Sequence, residues 1–269
     1  MKKLAILAFF GGLPLAASAQ IHVFGTVSPS STEAVSVSPI GTGFTGNYVL
    51  RFDAWQNFQG SFPGGGNGTT QALIGGVGAV DETRQWVADK IDGAAFAATG
   101  DGGSGNDYRA YTNFGSIVAE NSGAYAAGSV TGVTNNSNAY YSGFKGAVPA
   151  AQTAIAAGYS PSFSQTGQTS TGALGMAWHQ WEIVRFKDTI TWKVDGLRIA
   201  TVTKSTLGGD NIFLGYFDTN GNPSTDAVSN QLLFGLVDNV SVQAVPEPGT
   251  MVALGLGAAA MLRRRKKAQ

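Results

Sequence analysis

The sequence predicts an all-β protein, a sandwich or jelly roll of antiparallel sheets. Of its 269 residues 38 are glycine and only 13% are charged, and Ser, Thr and Asn crowd the stretches between apolar runs. That composition suits many short strands joined by turns, and no long helical periodicity competes with it. The clearest strand lies late in the chain, where Ile190, Trp192 and Val194 alternate with Thr189, Thr191, Lys193 and Asp195. This is the period of a half-buried strand. Segments of the same kind recur at about ten-residue spacing with turn residues between them, the rhythm of a sandwich.

The elements follow in order. Residues 21–27 form a first short strand, and 48–55 alternate well enough for a second. Residues 58–168 are less legible: 60–70 and 100–107 are glycine-rich loops, and the Ala-rich 147–158 suits a short helix or an insertion in the sandwich. A strand over 178–186 turns at Lys187-Asp188 into 189–194. Asp195-Gly196 follows at once, the signal of a type I′ hairpin, and Leu197 and Ile199 resume the alternation. Two more strands cover 212–217 and 232–242.

The two ends carry addresses. Lys2 and Lys3, the apolar stretch 4–15 and the small-x-small Ala17-Ser18-Ala19 have the three parts of a secretory signal, with cleavage leaving Gln20 first. At the other end Pro246-Glu247-Pro248 precedes an apolar run, 251–262, and a basic cluster from Arg263, Arg264 and Arg265 to Lys267. As a short hydrophobic helix this run covers about 20 Å against a hydrocarbon core of roughly 30 Å, so it suits a transient anchor better than a permanent one. The basic cluster holds its end in the cytoplasm, with the domain outside. The chain thus divides into a signal peptide (1–19), one β ectodomain (20–244) and a tail (245–269).

By order and spacing the tail resembles the PEP-CTERM sorting signal. That resemblance implies an exosortase acting near Pro246-Glu247-Pro248, alongside signal peptidase at the other end. It further implies a Gram-negative bacterium that makes exopolysaccharide, with the protein ending on the cell surface or in the extracellular matrix. The run WEIVRFKDTITWKVDGLRIATV, with NIFLGYFD, FGLVDNVSV and the earlier YVLRFDAWQNFQG, resembles the concanavalin A-like lectin/glucanase superfamily, which includes laminin-G-like domains. It implies a concanavalin A-like jelly roll, a fold often used for glycans.

Composition and motifs narrow the function. Between residues 20 and 244 the chain keeps ten of its 17 basic residues and 16 of its 17 acids, so the ectodomain is mildly acidic and nucleic acid is excluded as a partner. Cysteine is absent, which removes thiol catalysis and thiolate metal sites. Two G-x-G-x-x-G matches, Gly41-Gly43-Gly46 and Gly100-Gly102-Gly105, lack the strand–helix context of a dinucleotide site. The superfamily's glucanases place carboxylates on alternate positions of one strand. Here Glu182 is followed by Val184 and Phe186, so it reads as a salt-bridged or solvated strand residue. His22 and His179 are the only histidines, too few for a three-His zinc site; no G-x-S-x-G elbow or H-E-x-x-H motif accompanies them, and His179 reads as a sheet-face residue.

Calcium is the one cofactor the loops suggest. Asp218, Asn220 and Asn222 open like an EF-hand loop, which then departs from the pattern at Pro223 and Ser229; Asp101, Asn106 and Asp107 form a second oxygen-rich loop. The alternative is that these residues simply build turns. For sugar contact, Tyr108, Tyr111, Tyr140 and Tyr141 lie in loop-like segments, whereas Trp55, Trp178, Trp181 and Trp192 sit in strands and read as core. The expected function is a non-catalytic surface or matrix protein binding polysaccharide. Its alternatives are a structural or adhesive protein and a glycoside hydrolase with dispersed carboxylates.

Overall fold

Alternation becomes pairing in the computed structural model, which describes residues 22–25, 34–57, 71–82, 85, 91–100, 106–112, 116–119, 122–128, 135–159, 169–203, 205–218 and 234–246. Twelve strands are described: β1 (His22–Gly25), β2 (Ala34–Val37), β3 (Tyr48–Asn57), β4 (Gln71–Ala79), β5 (Ala94–Thr99), β6 (Tyr108–Thr112), β7 (Ser116–Ile117), β8 (His179–Phe186), β9 (Thr189–Val194), β10 (Leu197–Val202), β11 (Asn211–Asp218) and β12 (Phe234–Ala244). They make two six-stranded sheets, ordered β1-β12-β3-β8-β9-β10 and β2-β11-β4-β5-β6-β7, with every described pairing antiparallel. The expected jelly-roll sandwich is therefore present. The Ala-rich segment supplies a helix, α1 (Ala150–Tyr159). The expected C-terminal helix lies outside the described residues, among which no helix is long and apolar enough to cross a membrane.

The hairpins follow their turn chemistry. Asp195 and Gly196 have φ of 49° and 78°, the two positive angles a type I′ turn needs. Lys187, also at positive φ, turns β8 into β9. The strands that the sequence did not disclose, β2 and β4 to β7, all belong to the second sheet. β4 (QALIGGVGA) and β5 (AAFAAT) are buried at every position, so neither shows alternation. Their small residues let neighbours close in: a Cβ on Gly76 would fall 2.3 Å from the Phe213 ring.

Between the sheets runs a chain of aromatic rings. Phe52 meets Trp181 (5.4 Å between ring centroids), Trp181 meets Trp192 (4.8 Å), and Trp192 meets both Phe96 (5.5 Å) and Tyr108 (5.8 Å) across the sandwich. Tyr108 continues to Tyr141 (4.6 Å) and donates its hydroxyl hydrogen to the Gly172 carbonyl at 2.5 Å. A second apolar cluster, with Ile74, Phe213, Phe217 and Tyr111, lies on the far side of the second sheet. Part of its cover is the β4–β5 connection: Ile91 belongs to the cluster, and the Gln85 amide donates to Ser36 Oγ on β2 at 2.9 Å.

The two ends of the sandwich differ. At one, the Phe44 amide bonds the Asp210 carbonyl (2.6 Å) and the Phe44 carbonyl accepts from Arg185 (3.2 Å), tying the β2–β3 loop to both sheets. The Val245 amide donates to the Asn47 carbonyl (2.8 Å), so the chain leaves β12 here, toward the tail. At the opposite end the 169–178 segment is pinned by Gly175 N to the Gly100 carbonyl (3.1 Å) and Met176 N to the Gln56 carbonyl (2.9 Å).

Burial has a consequence at high pH. Removal from water raises the Tyr108 hydroxyl well above its ordinary value, reinforced by Tyr141 and Asp107; it also raises Tyr48 and Tyr111, each partly offset by an arginine (Arg185 and Arg109). A folded-state pKa above the unfolded one gives stability that is complete below about pH 10 and is lost as pH rises through the folded value. The unfolding free energy from urea titrations should hold steady to about pH 10 and then fall, by up to about 1.4 kcal/mol per pH unit for each such tyrosine. Tyr108→Phe should make that fall shallower, and an unchanged slope would contradict the assignment.

Candidate functional site

On a strand, residues three apart point to opposite faces. Phe52 and Trp55 of β3 are three apart, as are Trp178 and Trp181 at the start of β8. Phe52 and Trp181 fill the core, so Trp55 and Trp178 face outward. Trp178 is 45% exposed, Trp55 is half-buried, and their rings lie 6.2 Å apart at 55°. The expectation that all four tryptophans are core therefore holds for Trp181 and Trp192 and is corrected for Trp178 and Trp55. Met176, held at a φ of 60°, and Val148 pack beneath the Trp55 side of the pair.

Register brings polar groups beside the indoles on the same face. Asp53 of β3 stands opposite Gln180 of β8 on one side and Asp238 of β12 on the other. A shift of register between Asp238 and Ser241 puts Asn239 at a φ of 52°. Its side-chain amide then donates to Asp53 Oδ2 (2.7 Å) and its backbone N–H to Asp238 Oδ1 (2.7 Å). One strand step further, Arg51 Nε donates to Glu182 Oε2 at 2.7 Å and Arg51 Nη1 to Gln243 at 2.8 Å, so Glu182 is the salt-bridged strand residue its context suggests. The face thus offers flat apolar rings next to carboxylates and amides, a surface that can cover a pyranose face while bonding its hydroxyls.

The residues that the sequence nominated for sugar contact are elsewhere. Tyr108, Tyr111 and Tyr141 are 1%, 3% and 0% exposed, so they cannot form a platform. They look loop-like because glycine-rich stretches flank them, but strand β6 and the 3-10 turn Ala139–Tyr141 carry them into apolar clusters. Tyr140 stays exposed, with its hydroxyl donating to the Arg198 carbonyl at 2.9 Å and its neighbour Tyr141 edge-on at 5.0 Å. The calcium reading is narrowed too. Asp107 is buried and accepts the Thr99 hydroxyl's hydrogen bond within the β5–β6 turn, which corrects its assignment to an open loop. Asp218 ends β11 opposite Gln71, while Asp101, Asn220 and Asn222 lie outside the described residues. Among those described, no three His, Cys, Asp or Glu side chains converge. Ala17, Ala19, Gln20, Glu247, Pro248 and Arg263 to Arg265 also lie outside them.

His179 lies on the inner face of the first sheet. It points inward beside Trp181's side of β8, with its Nδ1 2.7 Å from Asp195 Oδ2 and its ring edge-on to Phe144 at 5.4 Å. The other Asp195 oxygen accepts the Gln180 amide at 2.8 Å. One carboxylate thereby ties the β9–β10 turn to the residues on either side of the first β8 peptide.

Residues 244–266 match the PEP-CTERM protein-sorting motif. The chain carries a PEP-CTERM sorting signal. It is an exported protein, processed at the membrane, and exosortase is the processing enzyme this motif implies. No curated protein matches its sequence. Solved structures similar to it include a galectin of Caenorhabditis elegans (11% identity, covering 81% of this chain and 94% of that one, TM-score 0.34). A carbohydrate-binding module of Bacillus subtilis (8%, 84% and 94%, 0.40) and a β-glucanase of Bacillus licheniformis (9%, 89% and 95%, 0.37) are also similar.

The Asp195 geometry makes a prediction about stability. Asp195→Asn keeps a residue that tolerates positive φ and an oxygen for the Gln180 amide, whereas Asp195→Ala loses both and strands His179 Nδ1. Chemical denaturation should show the Ala variant less stable than the Asn variant by about 1–3 kcal/mol. Equal stabilities would mean that the contact contributes nothing.

Proposed function

We propose that this PEP-CTERM protein is a non-catalytic glycan-binding protein of the cell surface or extracellular matrix, with the Trp55–Trp178 face as its binding surface. The observation that carries the reading is the exposed indole pair set beside Asp53, Gln180 and Asn239. Large aromatic rings left in water on the face of a well-packed sheet, here at the ends of its two central strands, need a use, and ring faces flanked by hydrogen-bonding groups suit a carbohydrate. The exported address supports the reading, in which this surface meets the cell's own exopolysaccharide in a Gram-negative envelope. The ectodomain, residues 20–244, serves as one unit, with calcium as an optional ligand of its oxygen-rich loops.

A second reading has its own observation. Asp53 and Asp238 stand directly opposite one another on neighbouring strands, and a retaining glycosidase needs two carboxyl groups about 5 Å apart. Against it, both lie on an open strand face, and Asn239 occupies an oxygen of each.

Binding of the full-length protein to the host's purified exopolysaccharide, with and without chelator, separates these readings. Saturable binding should weaken about tenfold or more in Trp178→Ala, a loss of at least 1.4 kcal/mol, and remain unchanged in Tyr140→Ala. Binding that is absent, or indifferent to Trp178, would overturn the assignment. Release of new reducing ends that disappears in Asp53→Asn would install the hydrolase reading in its place.

A further inference from the structure

The exposed apolar side chains are not scattered. Ile40, Val80 and Phe186 lie at the end of the sandwich from which the tail departs, Val37 and Ile117 stand level with the middle of β4, and Val23, Tyr140 and Trp178 lie toward the other end. Ile40, in the β2–β3 loop, is the most exposed large apolar residue among those described, at 87%, and the neighbouring Gly41 amide donates to Glu82, two residues from Val80. Phe186 stands at the β8–β9 turn with the Lys187 ammonium 5.8 Å from its ring centre, and the Lys187 amide bonds Asn47, the residue whose carbonyl holds Val245. Aliphatic tips, an exposed phenylalanine and a neighbouring lysine therefore share the end from which the chain departs.

The sequence limits how far that end can travel from lipid. Only five peptide steps separate Pro246, the last residue described, from Met251, the first of the apolar run within the sorting motif. Fully extended, they reach at most about 18 Å. We infer that this end of the domain is a membrane-contacting surface, in which Ile40, Val80 and Phe186 rest in the headgroup–acyl boundary of the bilayer that holds the tail. Ends of this make-up, with apolar side chains next to a long cation, suit the interface: the apolar groups enter it and the ammonium reaches the headgroups. The same geometry turns the Trp55–Trp178 face outward. Tyr48 pairs with Ala244 at the tail end, and β3 carries Trp55 seven residues, about 23 Å, further from it. The contact rests on the tail and the exposed side chains, not on the glycan reading.

The natural chain has no cysteine, so single labels are clean. Full-length Ile40→Cys, Val80→Cys and Trp178→Cys, each carrying a polarity-sensitive fluorophore, would be reconstituted into phosphatidylethanolamine–phosphatidylglycerol vesicles with or without lipids bearing a shallow quencher. Labels at 40 and 80 should be quenched severalfold more than the label at 178. Equal quenching at all three sites would overturn the inference. So would quenching at 40 that follows protein density rather than quencher lipid, which would assign the patch to a second copy of the chain.

Discussion

The structure depends on the contact between Trp192 and the opposite sheet. Its indole is wholly buried and touches Trp181 on its own sheet, then Phe96 and Tyr108 on the other. Antiparallel pairing fixes each sheet separately, but nothing in pairing sets one sheet over the other; side chains interdigitating between the inner faces do that. Because large rings fill most of the gap, the second sheet can be built from alanine and glycine at β4 and β5. Removing the Trp192 ring would leave a cavity that such small neighbours cannot close.

From that constraint the polarity of the molecule follows. With the core phase set by Phe52 and Trp181, every residue three positions away must point outward, and Trp55 and Trp178 do. The same phase directs Arg51, Asp53, Gln180 and Glu182 to the open face, where they pair with one another. His179 shares the inward phase and is secured by the carboxylate of the Asp195 turn. The aromatic surface thus joins Trp55 on β3 to Trp178, the last residue before β8, in the segment that Met176 and Gly175 pin down.

Legibility tracked alternation. The first sheet's later strands were readable because they are buried on one side only: β8 to β10, their Asp195-Gly196 turn and the salt-bridged Glu182 follow from period two and turn chemistry. β4 and β5 were not, because strands buried on both faces lose the period. Tyr108, Tyr111 and Tyr141 misled because glycine-rich flanks look like solvent-exposed loops, whereas here they border strands and a short turn inside the core. The outward tryptophans were within reach of the sequence: the Phe52–Trp55 and Trp178–Trp181 spacings each forbid a shared face. What no spacing could disclose was the register shift that swings Asn239 between Asp53 and Asp238. The sorting signal, being a linear motif, needed no fold at all.

The most direct test of this account is the urea unfolding free energy of Trp192→Ala beside that of Trp178→Ala. If the inter-sheet aromatic contact holds the sandwich together, the first should cost about 3–5 kcal/mol and the second under about 1 kcal/mol. A Trp192→Ala variant as stable as Trp178→Ala would contradict it.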